Sequence, residues 1–126
     1  MKIGFRFFGK HRKETLPECV LSVTISRKGG DIPLNWFTRT NGFMNEYLIR
    51  GMVSLERGKK MRNLHMQCCF VTYVALDCDF TKEMKAVIRD ELGIYNDEYA
   101  VVCIKLRSDS NAEAKLYGYC YKVISN

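Results

Sequence analysis

Two segments of strong β propensity lie close together in the middle of the chain and restrict the folds open to it. The first runs from Tyr47 to Glu56 and the second from Leu64 to Ala75, in which residues 70–74 read Phe-Val-Thr-Tyr-Val. Only a short basic stretch containing Gly58 separates them, and so short a link joins strands that pair antiparallel. The pattern predicts a central β-hairpin.

Weaker patterns on both sides of the hairpin predict an α+β fold. The apolar periodicity indicates further strands at 19–26 and 99–106 and helices at 34–44, 81–92 and 111–124. The order β-α-β-β-α-β-α is that of a central antiparallel β-sheet flanked by helices, as in RRM-like or ferredoxin-like domains. Residues 1–8 can add an edge strand. We expect residues 1–126 to form a single domain.

The hairpin brings together three polar side chains that can share a metal ion. His65 and Gln67 are two residues apart on one strand, so they point to the same side of the sheet. Glu56 ends the neighbouring strand and adds a carboxylate. One imidazole nitrogen, one amide oxygen and one carboxylate oxygen suit Mg²⁺ or Mn²⁺, whereas zinc prefers more His or Cys. The spacing predicts a divalent metal site formed by these three residues.

The last predicted helix carries a candidate nucleophile. Tyr119 and Lys122 are three residues apart, so the lysine can lie beside the phenol or beside a phosphate that it attacks. Among the neighbouring tyrosines, only Tyr119 is followed by a lysine at this spacing. Leu116, Cys120 and Ile124 recur every four residues on another face, which we expect to pack on the sheet and direct Tyr119 toward it.

Basic residues are unevenly distributed along the chain, which has a formal net charge of +6. Residues 1–28 contain seven Lys or Arg against two Glu, whereas residues 77–98 contain seven acidic residues against three basic ones. Such polarity suits a polyanionic partner such as DNA, although a well-solvated basic surface is the alternative. The residues that we expect to contact phosphates are Arg57, Lys59, Lys60, Arg62, Arg27 and Lys28.

The six cysteines and the hydropathy indicate a reduced, intracellular protein. No C-x-x-C pair and no secretory signal is found, and Cys19, Cys68, Cys69 and Cys103 lie in apolar segments where a free cysteine packs as a small apolar residue. No apolar stretch approaches the roughly 18 residues of a membrane span.

Three motifs in order resemble the HUH-type replication-initiator (Rep) endonuclease domains of circular single-stranded DNA viruses and related plasmids, especially the circovirus-like branch with His-x-Gln. The three motifs are residues 19–26, 64–67 and 119–122. The second matches the family's His-Leu-Gln and the third its Tyr-Cys-x-Lys, and residues 56–58 fit the family's upstream Glu-x-Gly in addition. Residues 19–26 stand where the family has Phe-Thr-x-Asn and match it only at Thr24. Cys68 stands where the family usually has Gly. The stretch between His65 and Tyr119 is long for compact members of the family, so the resemblance implies an extended strand or loop around residues 94–98.

The resemblance implies a metal-dependent, sequence-specific single-stranded DNA endonuclease and strand transferase that initiates rolling-circle replication. Tyr119 would attack the scissile phosphorus, giving a 5′-phosphotyrosyl intermediate and a free 3′-OH, and Lys122 would assist. Glu56, His65 and Gln67 would hold Mn²⁺ or Mg²⁺.

The partner that the resemblance implies is single-stranded DNA at a replication origin, expected to form a stem-loop. A helicase module or host replication proteins would be further partners, and no membrane is expected. The location would be the host nucleus for a eukaryotic virus and otherwise the cytoplasm. Because the chain has no P-loop, it is either the nuclease domain of a larger Rep or a relative without a helicase.

Two other functions fit the same residues. One is a non-catalytic RRM-like nucleic-acid-binding module, although the predicted strands lack the aromatic pattern on which such modules stack bases. The other is an HUH transposase or relaxase-type nuclease, which would apply the same chemistry to different DNA ends.

Overall fold

The computed structural model of the chain describes residues 3–8, 18–47, 50–58, 60, 62–73 and 80–125. The predicted order β-α-β-β-α-β-α is confirmed, with one more strand in front of it. The strands are β1 (Ile3–Phe8), β2 (Glu18–Arg27), β3 (Arg50–Arg57), β4 (Leu64–Tyr73) and β5 (Ala100–Arg107), and the helices are α1 (Leu34–Tyr47), α2 (Phe80–Glu91) and α3 (Ala112–Ser125).

The five strands form one antiparallel sheet in the order β1-β3-β4-β2-β5. The predicted hairpin is β3–β4, and its register sets Glu56 opposite His65. Strand β1 pairs with the outer edge of β3, which confirms the edge strand expected in residues 1–8. The α+β class predicted from the sequence is therefore confirmed.

One face of the sheet carries the larger apolar core, which α1 and α2 cover. Alternate residues of the strands point into it because side chains in a strand alternate between the two faces. The fully buried members from the sheet are Leu21, Val23, Ile25, Val53, Leu55, Met66, Cys68 and Phe70. Helix α2 contributes Met84 and Ile88 to this core, Leu92 follows directly after the helix, and Trp36 of α1 is 4% exposed.

The ends of the helices differ from the prediction by more than one residue at one place. Helix α1 continues through the exposed Gly42 to Tyr47, so Tyr47 belongs to this helix and not to the start of β3. By contrast, Gly93 follows α2 with φ of 70°, the left-handed conformation in which helices commonly end. Residues 92–99 then form turns, as expected for the connecting loop.

The opposite face of the sheet is covered in part by α3. Leu116 and Cys120 pack with Tyr117 on Met52 and Cys69, which confirms the predicted docking face of this helix. The side chain of Ile124 lies outside the described residues. Because this second core is small, it leaves neighbouring polar side chains of the sheet accessible beside α3.

The five described cysteines are free thiols, and four of them are buried. Cys103 is the exception, because β5 is an edge strand and α3 does not cover this position. The prediction that Cys103 packs as a small apolar residue is therefore wrong, and Cys78 lies outside the described residues. Within the described part of the chain, no helix combines the length and apolar character needed to cross a membrane.

Candidate active site

A carboxylate and an imidazole meet near the turn of the central hairpin. His65 Nε2 lies 2.8 Å from Glu56 Oε1, and the two side chains are only 19% and 14% exposed. They meet because Glu56 and His65 are directly opposite residues of an antiparallel pair, whose side chains lie on the same face. His65 Nδ1 is 3.3 Å from the carbonyl oxygen of Asn63, so both ring nitrogens face oxygen atoms.

This pair fits the donors of a divalent metal site. Adjacent ligands of an octahedral Mg²⁺ ion, at bond lengths of about 2.1 Å, are about 3 Å apart, close to the separation of the two atoms here. A carbonyl that holds the second ring nitrogen, as Asn63 does, is the usual way to orient a metal-binding histidine. Among the described residues, no three His, Cys, Asp or Glu side chains cluster as a metal site. Gln67, the third ligand predicted from the sequence, would supply an amide oxygen.

The amide side chain of Gln67 turns toward β2. Its Oε1 accepts a hydrogen bond from Thr24 Oγ1 at 3.0 Å, and its Nε2 donates to Ser22 Oγ at 3.3 Å. Thr24 is the register partner of Gln67, so the contact follows from the β2–β4 pairing. An amide oxygen has two lone pairs, so Oε1 can accept this hydrogen bond and still bind a cation. The threonine of the weak first motif thus orients the amide.

Tyr119 approaches the same carboxylate from the helix above it. Its hydroxyl donates to Glu56 Oε1 at 2.9 Å and to Oε2 at 3.1 Å, and the residue is 46% exposed. Partial burial, followed by the hydrogen bond to Glu56, raises the pKa of Tyr119 to about 12. Lys122 lies in α3 one turn later, but its side chain is outside the described residues.

The turn between β3 and β4 is held by contacts with Asp31 and Ile32, which belong to no sequence motif. Asp31 Oδ1 accepts the N–H of Leu64 at 2.7 Å, and the backbone N–H of Ile32 donates to the carbonyl of Leu64 at 3.0 Å. The Asn63 carbonyl that faces His65 also accepts the N–H of Gly58 at 3.0 Å. The carboxylate and the closed turn therefore set the start of β4 and, with it, the position of His65. The chain around Asp31 carries no motif, so only the contact identifies this role.

Two of the residues predicted to contact DNA make contacts within the protein. Arg57 Nη1 lies 3.2 Å from Asp31 Oδ1 and donates to the carbonyl of Arg62 at 2.9 Å. Arg27 Nε lies 3.7 Å from an oxygen of Asp97, and its guanidinium is 5.2 Å from the centre of the Tyr99 ring. These two arginines hold loops together.

The remaining predicted DNA contacts differ in accessibility. Lys28, Lys60 and Arg62 are exposed, and Lys59 lies outside the described residues. Arg62 has φ of 56°, a left-handed conformation that is uncommon for a residue other than glycine. The exposed cations lie at the same end of the sheet as Glu56 and His65, because they occupy the β3–β4 turn and the end of β2.

Comparison with known proteins agrees with this architecture. Residues 22–126 match the family described as "Replitron, HUH endonuclease domain", from within β2 through the end of α3. No curated protein and no solved structure gives a significant match. The match confirms the HUH endonuclease class predicted from the motifs, whereas the circovirus-like branch stays a prediction. Since the matched region contains both the hairpin of Glu56 and His65 and the helix of Tyr119, the chain belongs to the Replitron HUH endonuclease domain family.

Proposed function

We propose that this chain is a metal-dependent, sequence-specific single-stranded DNA nickase and strand transferase that starts rolling-circle replication, with Tyr119 as its nucleophile. Membership of an HUH endonuclease family supports DNA cleavage and single-stranded DNA binding in general. The observation that carries the finer proposal is the hydrogen bond from Tyr119 to Glu56, because it joins an accessible hydroxyl to the carboxylate–imidazole pair.

The resting arrangement holds Tyr119 as a neutral phenol. With its pKa raised to about 12 by partial burial and then by the hydrogen bond to Glu56, it is a weak nucleophile at neutral pH, so positive charge beside Glu56 would favour its reaction. Glu56, His65 and Gln67 are the residues that would bind Mn²⁺ or Mg²⁺. The bound ion supplies positive charge that stabilises the negative charge developing on the phosphate.

The proposed reaction is a transesterification. The phenolic oxygen of Tyr119 forms a bond to the scissile phosphorus, and the bond from phosphorus to the 3′ oxygen breaks. The phenolic proton passes to Glu56 or to water, and the leaving 3′ oxygen takes up a proton to become a free 3′-OH. Attack by a 3′-OH on the phosphotyrosine reverses the step, so strands are rejoined without ATP. We assign Lys122 to positioning the phosphate, because it follows Tyr119 by one helical turn.

The same proposal includes the DNA and its context. The substrate is a replication origin that presents its cleavage site in a stem-loop, and the 126 residues act as one domain together with a helicase module or host replication proteins. The His65-x-Gln67 spacing supports the likeness to circovirus-like Rep proteins. Exposed Lys28, Lys60 and Arg62 support contact with the phosphates on either side of the cleavage site.

An adduct assay on labelled single-stranded oligonucleotides of random sequence, with Mn²⁺, tests this proposal. The wild-type chain should form a covalent protein–DNA adduct that survives denaturing electrophoresis and is lost with EDTA. Sequencing the released 3′ ends should give one preferred cleavage sequence. Binding without any adduct would instead support the non-catalytic nucleic-acid-binding module, and an adduct that persists in Tyr119→Phe would exclude Tyr119 as the nucleophile.

A further inference from the structure

Arg50, at the start of β3, binds two carboxylates that come from different elements. Its Nε and Nη2 lie 2.6 and 2.9 Å from the two oxygens of Glu113 in α3. Its Nη1 and Nη2 lie 3.3 and 2.9 Å from the two oxygens of Glu18 in β2. The side chains of Arg50 and Glu113 are 27% and 29% exposed, so this ion pair is shielded more than an ordinary surface pair.

The contact between Arg50 and Glu113 fastens the first turn of α3 to the strand that also carries Glu56. Arg50 and Glu56 are six positions apart on β3. Because side chains alternate along a strand, both point to the face under α3. Glu113 precedes Tyr119 by six residues, or about 9 Å along the helix axis. Helix α3 is therefore attached to one strand face at two points, by Glu113 on Arg50 and by Tyr119 on Glu56.

The apolar contacts of α3 near these two points involve only a small core among the described residues. Leu116, Tyr117 and Cys120 pack on Met52 and Cys69. Burial of apolar surface resists separation of the helix from the sheet, but it is not directional and opposes sliding or rotation only weakly. A two-point bond between a guanidinium and a carboxylate has a defined geometry, so it resists both motions.

The attachment at Tyr119 is lost when the tyrosine reacts. A phenolic oxygen that has given up its proton to attack phosphorus can no longer donate to Glu56. Two directional contacts of α3 with the central strands then remain, the long one from Cys120 Sγ to the carbonyl of Gln67 at 4.0 Å and the charged, two-point bond of Glu113 with Arg50, which is the stronger. We infer that Glu113, through Arg50, is a positioning residue that keeps α3 in the axial position and rotation from which Tyr119 reaches the scissile phosphate. This inference rests on the proposed function of Tyr119.

Single-turnover adduct formation by the whole chain tests the inference, with Glu18→Ala as a matched control. Glu113→Ala and Glu18→Ala each remove one carboxylate from Arg50, but only Glu113 belongs to α3. Glu113→Ala should slow adduct formation about 10- to 100-fold, because a displacement of about 1 Å at the reacting atoms has an effect of that size. Affinity for the oligonucleotide and for Mn²⁺ should stay at the wild-type level. Glu113→Gln should recover part of the rate, because its amide oxygen still accepts a hydrogen bond from Arg50.

Glu18→Ala should react at the wild-type rate, even if its melting temperature falls as much as that of Glu113→Ala. Equal slowing by the two alanine variants, or a wild-type rate in Glu113→Ala, would overturn the inference. If Glu113→Ala does not fold, Glu113→Gln decides: a loss of about threefold or more at unchanged DNA affinity supports the inference, and a wild-type rate overturns it.

Amide hydrogen exchange separates this inference from the proposed function, because it requires no DNA. Exchange in α3 should be faster in the Glu113 variant than in the Glu18 variant, while exchange in β4 stays the same in both. Equal exchange in the two variants would overturn the inference for the fold itself. Absence of any adduct from the wild-type chain would count against the proposed function and would leave this measurement valid.

Discussion

Tyr119 on α3 donates its hydroxyl hydrogen to both carboxylate oxygens of Glu56 on β3, at 2.9 and 3.1 Å. The same Oε1 atom of Glu56 lies 2.8 Å from Nε2 of His65. One carboxylate thus connects the proposed nucleophile with the proposed metal-binding imidazole. Substitutions of the three residues should therefore have separable effects on covalent chemistry, on ionisation of the phenol and on metal affinity.

Replacing Tyr119 by phenylalanine should abolish the covalent adduct and leave the fold and DNA affinity intact. The change removes one half-exposed hydroxyl and its hydrogen bond to Glu56, so the chain should still fold, with a modest fall in melting temperature. Tyr117→Phe is the matched control, because Tyr117 is 8% exposed and packs in the small core under α3. It should retain cleavage, as should Tyr121→Phe. Loss of the adduct in Tyr117→Phe with Tyr119→Phe still active would reverse the assignment.

Ionisation of Tyr119 should occur at unusually high pH. Its pKa is raised to about 12 from an ordinary value of 10.0, so the neutral phenol is favoured in the folded chain. The contribution of this raised pKa to the free energy of unfolding is fully present below about pH 10 and is lost as the pH rises toward 12. The difference in phenolate absorbance between the wild type and Tyr119→Phe measures this transition. In Glu56→Gln the transition should move to lower pH, and an unchanged midpoint would show that Glu56 does not control the phenol.

Chelation and substitution of the proposed ligands should affect cleavage in graded ways. EDTA should stop cleavage, and Mn²⁺ or Mg²⁺ should restore it. His65→Ala should abolish nicking, whereas Gln67→Ala and Glu56→Ala should weaken it and raise the Mn²⁺ concentration required. Calorimetric titration with Mn²⁺ provides a measure that does not depend on DNA. Full activity of His65→Ala in EDTA would exclude the metal site.

The hydroxyl of Thr24 should contribute to metal affinity through Gln67. Thr24→Val keeps the shape of the side chain but removes the donor that holds Gln67 Oε1 at 3.0 Å. Loss of such an orienting contact typically lowers metal affinity by about 10-fold or more. The control is Ser26→Ala, because Ser26 is two residues after Thr24 on β2 and therefore on the same face. This variant should bind Mn²⁺ like the wild type. Equal affinities in both variants would show that the Thr24 hydroxyl does not contribute to metal affinity through Gln67.

The exposed cations of the β3–β4 turn should set the salt dependence of DNA binding. Removing charge with Lys60→Ala and Arg62→Gly should lower the slope of log affinity against log salt by about 1.4, at roughly 0.7 per phosphate contact on a single strand. Glycine is chosen at Arg62 because it tolerates a φ of 56°. The preferred cleavage sequence should stay the same. A wild-type slope combined with a new cleavage sequence would mean that these residues read bases.

Arg57→Ala should behave differently from that double variant. Arg57 contacts Asp31 and the carbonyl of Arg62, so its loss should lower the melting temperature and change the salt slope less. The hydrogen bond from the N–H of Leu64, followed by this contact with Arg57, keeps the pKa of Asp31 below its ordinary value. That stabilisation is present above the ordinary carboxyl pKa and is lost as the pH falls through the lowered value. Wild-type melting behaviour of Arg57→Ala would contradict this structural role.

Features that depend on local repetition could be predicted from the sequence by itself. A strand alternates its side chains, so His65 and Gln67 had to share a face, and a short hairpin connection set Glu56 beside them. The four-residue spacing of Leu116 and Cys120 likewise identified the face of α3 that packs on the sheet. The class of the fold follows from such patterns, because they involve neighbouring residues whose geometry is set by the backbone. The HUH endonuclease class was predicted from the resemblance of short motifs to a known family.

The tertiary structure decided which of these groups touch. Strand β4 lies between β3 and β2, and only this order turns the amide of Gln67 toward Thr24, 43 positions earlier in the chain. The bond from Tyr119 to Glu56 spans 63 positions and depends on where α3 crosses the sheet. No periodicity indicates that Arg57 binds Asp31 or that Arg50 binds Glu113, because contacts between distant segments depend on the packing of the whole sheet and its helices.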